Sequence, residues 1–199
     1  MDFNLTEDQQ ALAGLAGEIF AALSTHDRMK QLKAAGREFD AELWGKVAEA
    51  GLVGAVIDEK HDGGGLGMVG LALLLEQQGR FTAQVPLLDT LVYGVLPLLR
   101  FGSEETVEAE LPGLLDGSRI VAGALAETGA GLPGKPKVTA RQEGGAYRLD
   151  GVKRAVPWAQ VATDVLVSAS LDGRTAVFLV DPAADGVTVE AAPTTAPWA

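Results

Sequence analysis

Apolar residues recur at helical spacing over roughly the first 117 residues and gather into short strand-like runs after that. Leu12, Leu15, Ile19, Phe20 and Leu23 follow Thr6, which makes a capping box with Gln9, so a first helix is predicted there. Asp40 is an N-cap for a helix carrying Leu43, Trp44, Val47 and Ala48, and Gly51 stands where a left-handed C-cap is favoured. A short apolar run, 52–57, leads into a polar, glycine-dense loop, 58–65. Next comes a helix over 68–78 that is apolar on most faces, the pattern of a central helix. Pro86 suits the first turn of another helix. Ser103 caps one that runs toward Asp116 and Gly117, with Glu104 and Glu105 where the helix dipole favours acids.

From Arg119 onward the runs 120–126, 137–141, 146–149, 165–169, 176–180 and 186–190 read as strands. Turn signals such as Glu143-Gly-Gly and Leu171-Asp-Gly-Arg separate them. Helices followed by strands predict an α+β fold with segregated parts, an all-α domain over 1–117 and a small all-β domain over 118–199. The β region reaches residue 199 with no closing element, which suggests an incomplete module.

The composition narrows the function classes. Of the 199 residues, 47% are hydrophobic and 22% charged, enough for a real core. The net charge of −11 leaves no electrostatic footprint for nucleic acid. With no cysteine, disulfides and thiolate chemistry are ruled out, and the acidic start resembles no leader peptide, so a cytoplasmic protein is expected. The most apolar stretch, 85–99, is too short to span a bilayer and is interrupted by Asp89 and Pro97, so it predicts a buried helix and no membrane association. A mean hydropathy of +0.16 on so charged a chain predicts apolar surface that another subunit or further chain covers.

Generic chemical motifs are weak. Gly65-Leu-Gly67-Met-Val-Gly70 and Gly129-Ala-Gly131-Leu-Pro-Gly134 both match G-x-G-x-x-G, but neither sits between a strand and a helix in a βαβ unit. His26 and His61 are isolated, so no metal site is expected, and no G-x-S-x-G nucleophile is present.

The order of less specific segments is more telling. Phe3-Asn-Leu-Thr-Glu-Asp-Gln, Asp62-Gly-Gly-Gly-Leu-Gly67, Glu76-Gln-Gln-Gly-Arg80, Ala124-Leu-Ala-Glu-Thr-Gly-Ala-Gly131, Leu149-Asp-Gly-Val-Lys153, Val177-Phe-Leu-Val-Asp181 and Gly186-Val-Thr-Val follow one another as in the acyl-CoA dehydrogenase family, which the chain resembles end to end. The resemblance implies an N-terminal helical domain and a barrel-like middle β-domain, without the family's C-terminal four-helix domain. It also implies FAD, an acyl-CoA substrate desaturated between its α and β carbons, and assembly as homo- or hetero-oligomers. The family's base is a glutamate of the C-terminal domain, so no catalytic residue is assigned within this chain.

By the same resemblance, Leu125, Ala126, Glu127, Ala155, Pro157 and Trp158 stand at flavin-contacting positions, and Gly131 and Leu132 near the substrate thioester. Several depart from the family pattern. Ala126 replaces a threonine that bonds the flavin, Leu132 replaces a serine, and Ala155-Val156-Pro157-Trp158 replaces Trp-Ile-Thr-Asn. Each lost donor weakens a polar ring's binding by about 0.5–1.5 kcal/mol. FAD and CoA are anions, and Lys135, Lys137, Lys153 and Arg154 are the candidates to offset the chain's negative charge locally. Two readings follow: a component of a flavin-dependent acyl-CoA dehydrogenase, or a non-catalytic subunit or fragment that pairs with an active one. An acidic α+β protein without chemistry is the bland alternative.

Overall fold

A computed structural model describes residues 4–37, 39–129 and 133–192. Helix α1 (Glu7–Leu23) starts at the expected capping box, with Thr6 Oγ1 accepting from the Gln9 N–H at 3.2 Å and Gln9 Oε1 accepting from the Thr6 N–H at 3.0 Å. It buries Leu12, Ala16 and Phe20. Helix α2 (His26–Ala34) has no apolar stripe to announce it, because Leu32 is its one buried residue. Its sequence signal is the N-cap Thr25, whose hydroxyl accepts from the Arg28 N–H. Helix α3 (Ala41–Glu49) begins at Asp40 as its pattern predicts, and the buried Asp40 carboxylate takes a two-pronged bond from Arg28 at 2.8 and 3.0 Å.

The run 52–57 closes into a 3₁₀ turn (Gly54–Val56), and the glycine loop folds back over it. The N–H groups of Gly64, Gly65 and Leu66 donate to the carbonyls of Gly54, Ile57 and Ala55. A Cβ at Gly63 would lie 2.2 Å from the Ile57 carbonyl oxygen, so this glycine serves close backbone packing. Helix α4 (Gly67–Arg80) packs on α1 and buries Gly70, Leu71, Leu74 and Gln77. Met68 and Val69 stay 67% and 48% exposed, so α4 is not the all-round buried helix that its composition suggests.

The apolar stretch 85–99 forms a rod made of α5 (Leu87–Asp89), a π-helical turn (Thr90–Val95) and α6 (Leu96–Phe101), buried at most positions up to Val95 but only half-buried over 96–99, with Leu88 exposed. Helix α7 (Glu104–Leu115) starts at Ser103, whose hydroxyl accepts from the Thr106 N–H.

Five strands follow: β1 (Val121–Ala124), β2 (Thr139–Glu143), β3 (Ala146–Asp150), β4 (Asp164–Leu171) and β5 (Arg174–Val180). Along β4, β1 and β2 pair in parallel on one edge and β5 pairs antiparallel on the other, while β3 pairs antiparallel with β2. Both predicted two-residue turns form, with positive φ at Gly144, Gly145, Asp172 and Gly173, as tight hairpins require. The run 186–190 forms no strand. It lies exposed without a ladder partner, and alternation alone does not make a strand. Among the described residues the sheet stays open, with β1, β3 and β5 each paired along one side only.

One apolar cluster extends from Phe20 through Trp44 and Leu74 to Ile120 and Val121, so the helices and β1 share a core. Gly123 makes that contact possible. A Cβ there would stand 2.4 Å from Tyr93 Cδ2, so the Tyr93 ring lies directly on the strand backbone. Arg119 bonds both oxygens of Asp164 at 2.7 and 3.1 Å, and Trp44 Nε1 donates to the Gly117 carbonyl at 2.8 Å, fixing the helix-to-strand junction.

Candidate functional site

The segments 125–128 and 153–158 lie side by side, because the chain continues past β1 and the Arg154 N–H donates to the Ala126 carbonyl at 2.9 Å. Leu125 and Pro157 are half-buried, Ala126 and Ala155 exposed, and Trp158 buried. Gly131 and Leu132 lie outside the described residues.

Glu127 is the structural centre of this region. Its carboxylate accepts from Lys153 Nζ at 2.6 Å and from the N–H groups of Lys137 and Val138 at 2.6 and 3.2 Å. Lys153 also donates to Ser168 at 2.9 Å, and the Glu127 and Lys153 side chains are only 3% and 8% exposed. Burial alone would raise the Glu127 pKa. The Lys153 bond and the two backbone donors outweigh burial and hold the carboxyl below its usual range. Lys153, a sequence candidate for offsetting phosphate charge, is therefore committed to Glu127 and turned away from solvent. Lys137 Nζ donates to the Thr128 carbonyl at 3.2 Å, while Lys135 and Arg154 remain exposed.

Ala155 and Trp158 both adopt positive φ, 49° and 63°. Left-handed backbone at a residue with a Cβ costs on the order of 1 kcal/mol and persists only where the surroundings hold it. Two contacts hold it here. The Trp158 ring packs edge-on against Phe39 at 6.3 Å between centroids, and its carbonyl accepts from the Val161 and Ala162 N–H groups. The bend drives the indole into the junction with the helical part, 5% exposed, so it offers no open ring face above the segment.

These side chains do not fit a flavin held as the resemblance describes. Ala126 and Ala155 carry no hydroxyl or amide, Pro157 has neither a side-chain donor nor an N–H, and Trp158 is packed away. Among the described residues of these two segments, the exposed backbone near Ala126 is what is left to meet a polar ring. Among the described residues no cluster of three or more metal-ligating side chains occurs, and no helix is long and apolar enough to cross a membrane.

One buried ionisable group escapes the motif reading. Asp89, 4% exposed, lies on the apolar rod beside β1, where the backbone N–H of Gly123 favours its charged form. Its Oδ1 and the neighbouring Thr90 Oγ1 are buried without hydrogen-bond partners in this structure. Burial pushes the Asp89 carboxyl up to about 6 against the smaller opposing pull of the Gly123 and Asp89 backbone N–H groups. In the sequence its only mark is a lone acid interrupting an apolar run.

Comparison with known proteins bears on the same region. The model for "Acyl-CoA dehydrogenase, N-terminal domain" matches residues 6–118. The chain is 36% identical over 195 residues to "Acyl-CoA dehydrogenase FadE27" of Mycobacterium tuberculosis, covering 98% of this chain and 51% of that protein. The ChsE4-ChsE5 complex from Mycobacterium tuberculosis superposes with a TM-score of 0.88 at 36% identity, covering 98% of this chain and 52% of the other. The Tcur3481-Tcur3483 steroid ACAD G363A variant gives a TM-score of 0.83 at 40% identity, covering 90% of this chain and 49% of the other. The chain thus spans about half the length of these curated relatives, FadE27 and FadE28 of Mycobacterium tuberculosis.

Proposed function

The chain belongs to the acyl-CoA dehydrogenase family, and from that premise we propose that it is one component of a flavin-dependent assembly that desaturates an acyl-CoA thioester between its α and β carbons. In this reading the catalytic glutamate lies outside residues 1–199, and a partner subunit of the same family supplies the flavin's side-chain contacts. This chain contributes a helical domain, 1–117, and a β-domain, 118–199. The carrying observation is the arrangement of Ala126, Ala155, Pro157 and Trp158, which offers a flavin neither hydroxyl nor free ring while Trp158 stays packed against Phe39. The similarity to a ChsE4-ChsE5 complex supports pairing with a second subunit. The similarity to a steroid ACAD makes a steroid-derived acyl thioester the first substrate class to try.

Within such an assembly this chain's residues orient and exclude water. Glu127, pinned by Lys153 and by the N–H groups of residues 137 and 138, fixes the backbone of 126–128. Trp158 seals the junction between helices and sheet. The exposed backbone at Ala126 favours a second reading, in which the chain holds the flavin itself through the N–H groups of 125–127. The visible absorption spectrum of the full-length protein, purified alone and together with its co-expressed partner, decides between them. A colourless lone protein and a yellow, acyl-CoA-oxidising complex are expected. Full flavin retention and activity in the lone protein would overturn the partner-held reading in favour of the second.

A further inference from the structure

The geometry points to a binding site for a phosphoryl anion in the cleft formed by Thr128, the entry to β2 at 137–138 and the 151–154 turn. The cleft has a volume of about 260 Å³. It is lined by Glu127, Thr128, Lys137, Val138, Gly151 and Arg154, along with Val152. Glu127 and Lys153 cancel each other's charge as a buried pair, so Lys137 and Arg154 leave the cleft with two positive charges in excess on a chain of net charge −11.

The cations are placed rather than scattered. Arg154 is anchored by its backbone bond to Ala126, and its guanidinium makes no hydrogen bond or ion pair among the described residues. Lys137 is tethered to the Thr128 carbonyl at 3.2 Å, and its backbone N–H is bonded to Glu127. Gly151, at φ 140°, closes the opposite wall so tightly that a Cβ there would lie 2.8 Å from Val138 Cγ2. A guanidinium fork, an ammonium and the Thr128 hydroxyl supply more donors than a single carboxylate takes up. They match the several oxygens of a phosphomonoester or diphosphate. None of this depends on the acyl-CoA reading, because the cleft's shape and charge suffice for it.

The probe is inorganic pyrophosphate, titrated calorimetrically into the intact protein in the assembly in which it is purified. Saturable binding is expected, weakened about tenfold in an R154Q/K137Q double variant by loss of two charge-assisted contacts. R141Q, which removes a cation already paired with Glu143 on β2, should bind as wild type. Absence of saturable binding, equal affinity in the double variant, or an equal loss in R141Q would overturn the site. Displacement of pyrophosphate by CoA would identify the thioester carrier as the phosphate's source, displacement by FAD a dinucleotide, and displacement by neither a free phosphoryl anion. Failure of the dehydrogenase reading would leave the pyrophosphate titration unchanged, so the two proposals fail separately.

Discussion

Replacing Asp89 with asparagine isolates one buried ionisable group. Asp89 is 4% exposed, and its pKa is pushed from 3.8 up to about 6 by burial. The folded state therefore binds the Asp89 proton more tightly than the unfolded chain, and between about pH 4 and pH 6 rising pH removes stability. Above pH 6 the full cost is present. At 1.36 kcal/mol per pKa unit it amounts to at most about 3 kcal/mol. Asparagine keeps the size and a polar oxygen of the side chain and carries no charge, so D89N should be more stable than wild type at pH 7.5 by roughly 2 kcal/mol once some repacking is allowed for. For a chain of this size that is a rise in melting temperature of roughly 4–8 °C. The assay is thermal or urea unfolding of both proteins in parallel from pH 4 to pH 7.5, read as the difference between them. The difference should shrink as pH falls and reach zero near pH 4. A D89N protein no more stable than wild type at pH 7.5, or a difference that does not change with pH, would refute the reasoning.

The other predictions concern packing and the buried pair. K153M leaves the Glu127 carboxylate buried without its cation and should cost about 3 kcal/mol by chemical denaturation, with E127Q/K153M recovering part of the loss. Because the Glu127 pKa is depressed, the stability of the pair should be present above the unfolded carboxyl's range and decline as pH falls below it, a decline absent in the double variant. G123A drives a methyl into the Tyr93 ring and should destabilise by about 1–3 kcal/mol, with Y93L restoring part of that in the same background. G63A collides with the Ile57 carbonyl and should lower the melting temperature while leaving ligand affinity per folded molecule unchanged. An affinity change without a stability change would give that loop a binding role.

Local rules made much of the fold legible. The cap at Thr6, the cap at Asp40 and the two glycine-containing hairpins each depend on residues within a few positions of one another. The sequence alone therefore placed α1, α3 and both turns. Helix α2 was hidden because a helix with one buried side chain shows no stripe, and α4 looked central because composition cannot say which of its faces finds a partner. The family order of motifs likewise marked 125–128 and 153–158, and the loss of hydroxyls at Ala126 and Pro157 needed no coordinates.

Everything that depends on contacts across long separations waited for the tertiary structure. It showed that Lys153 is paired with Glu127 rather than facing solvent, that Trp158 turns inward against Phe39, and that a lone acid in an apolar rod is buried beside a strand. The 186–190 run shows the same limit from the other side: its alternation is right, yet a strand exists only where a neighbour supplies the ladder. Sequence determines which groups a segment brings. Whether a charge is neutralised, a ring buried or a donor satisfied is decided by residues that the fold carries to it from elsewhere in the chain.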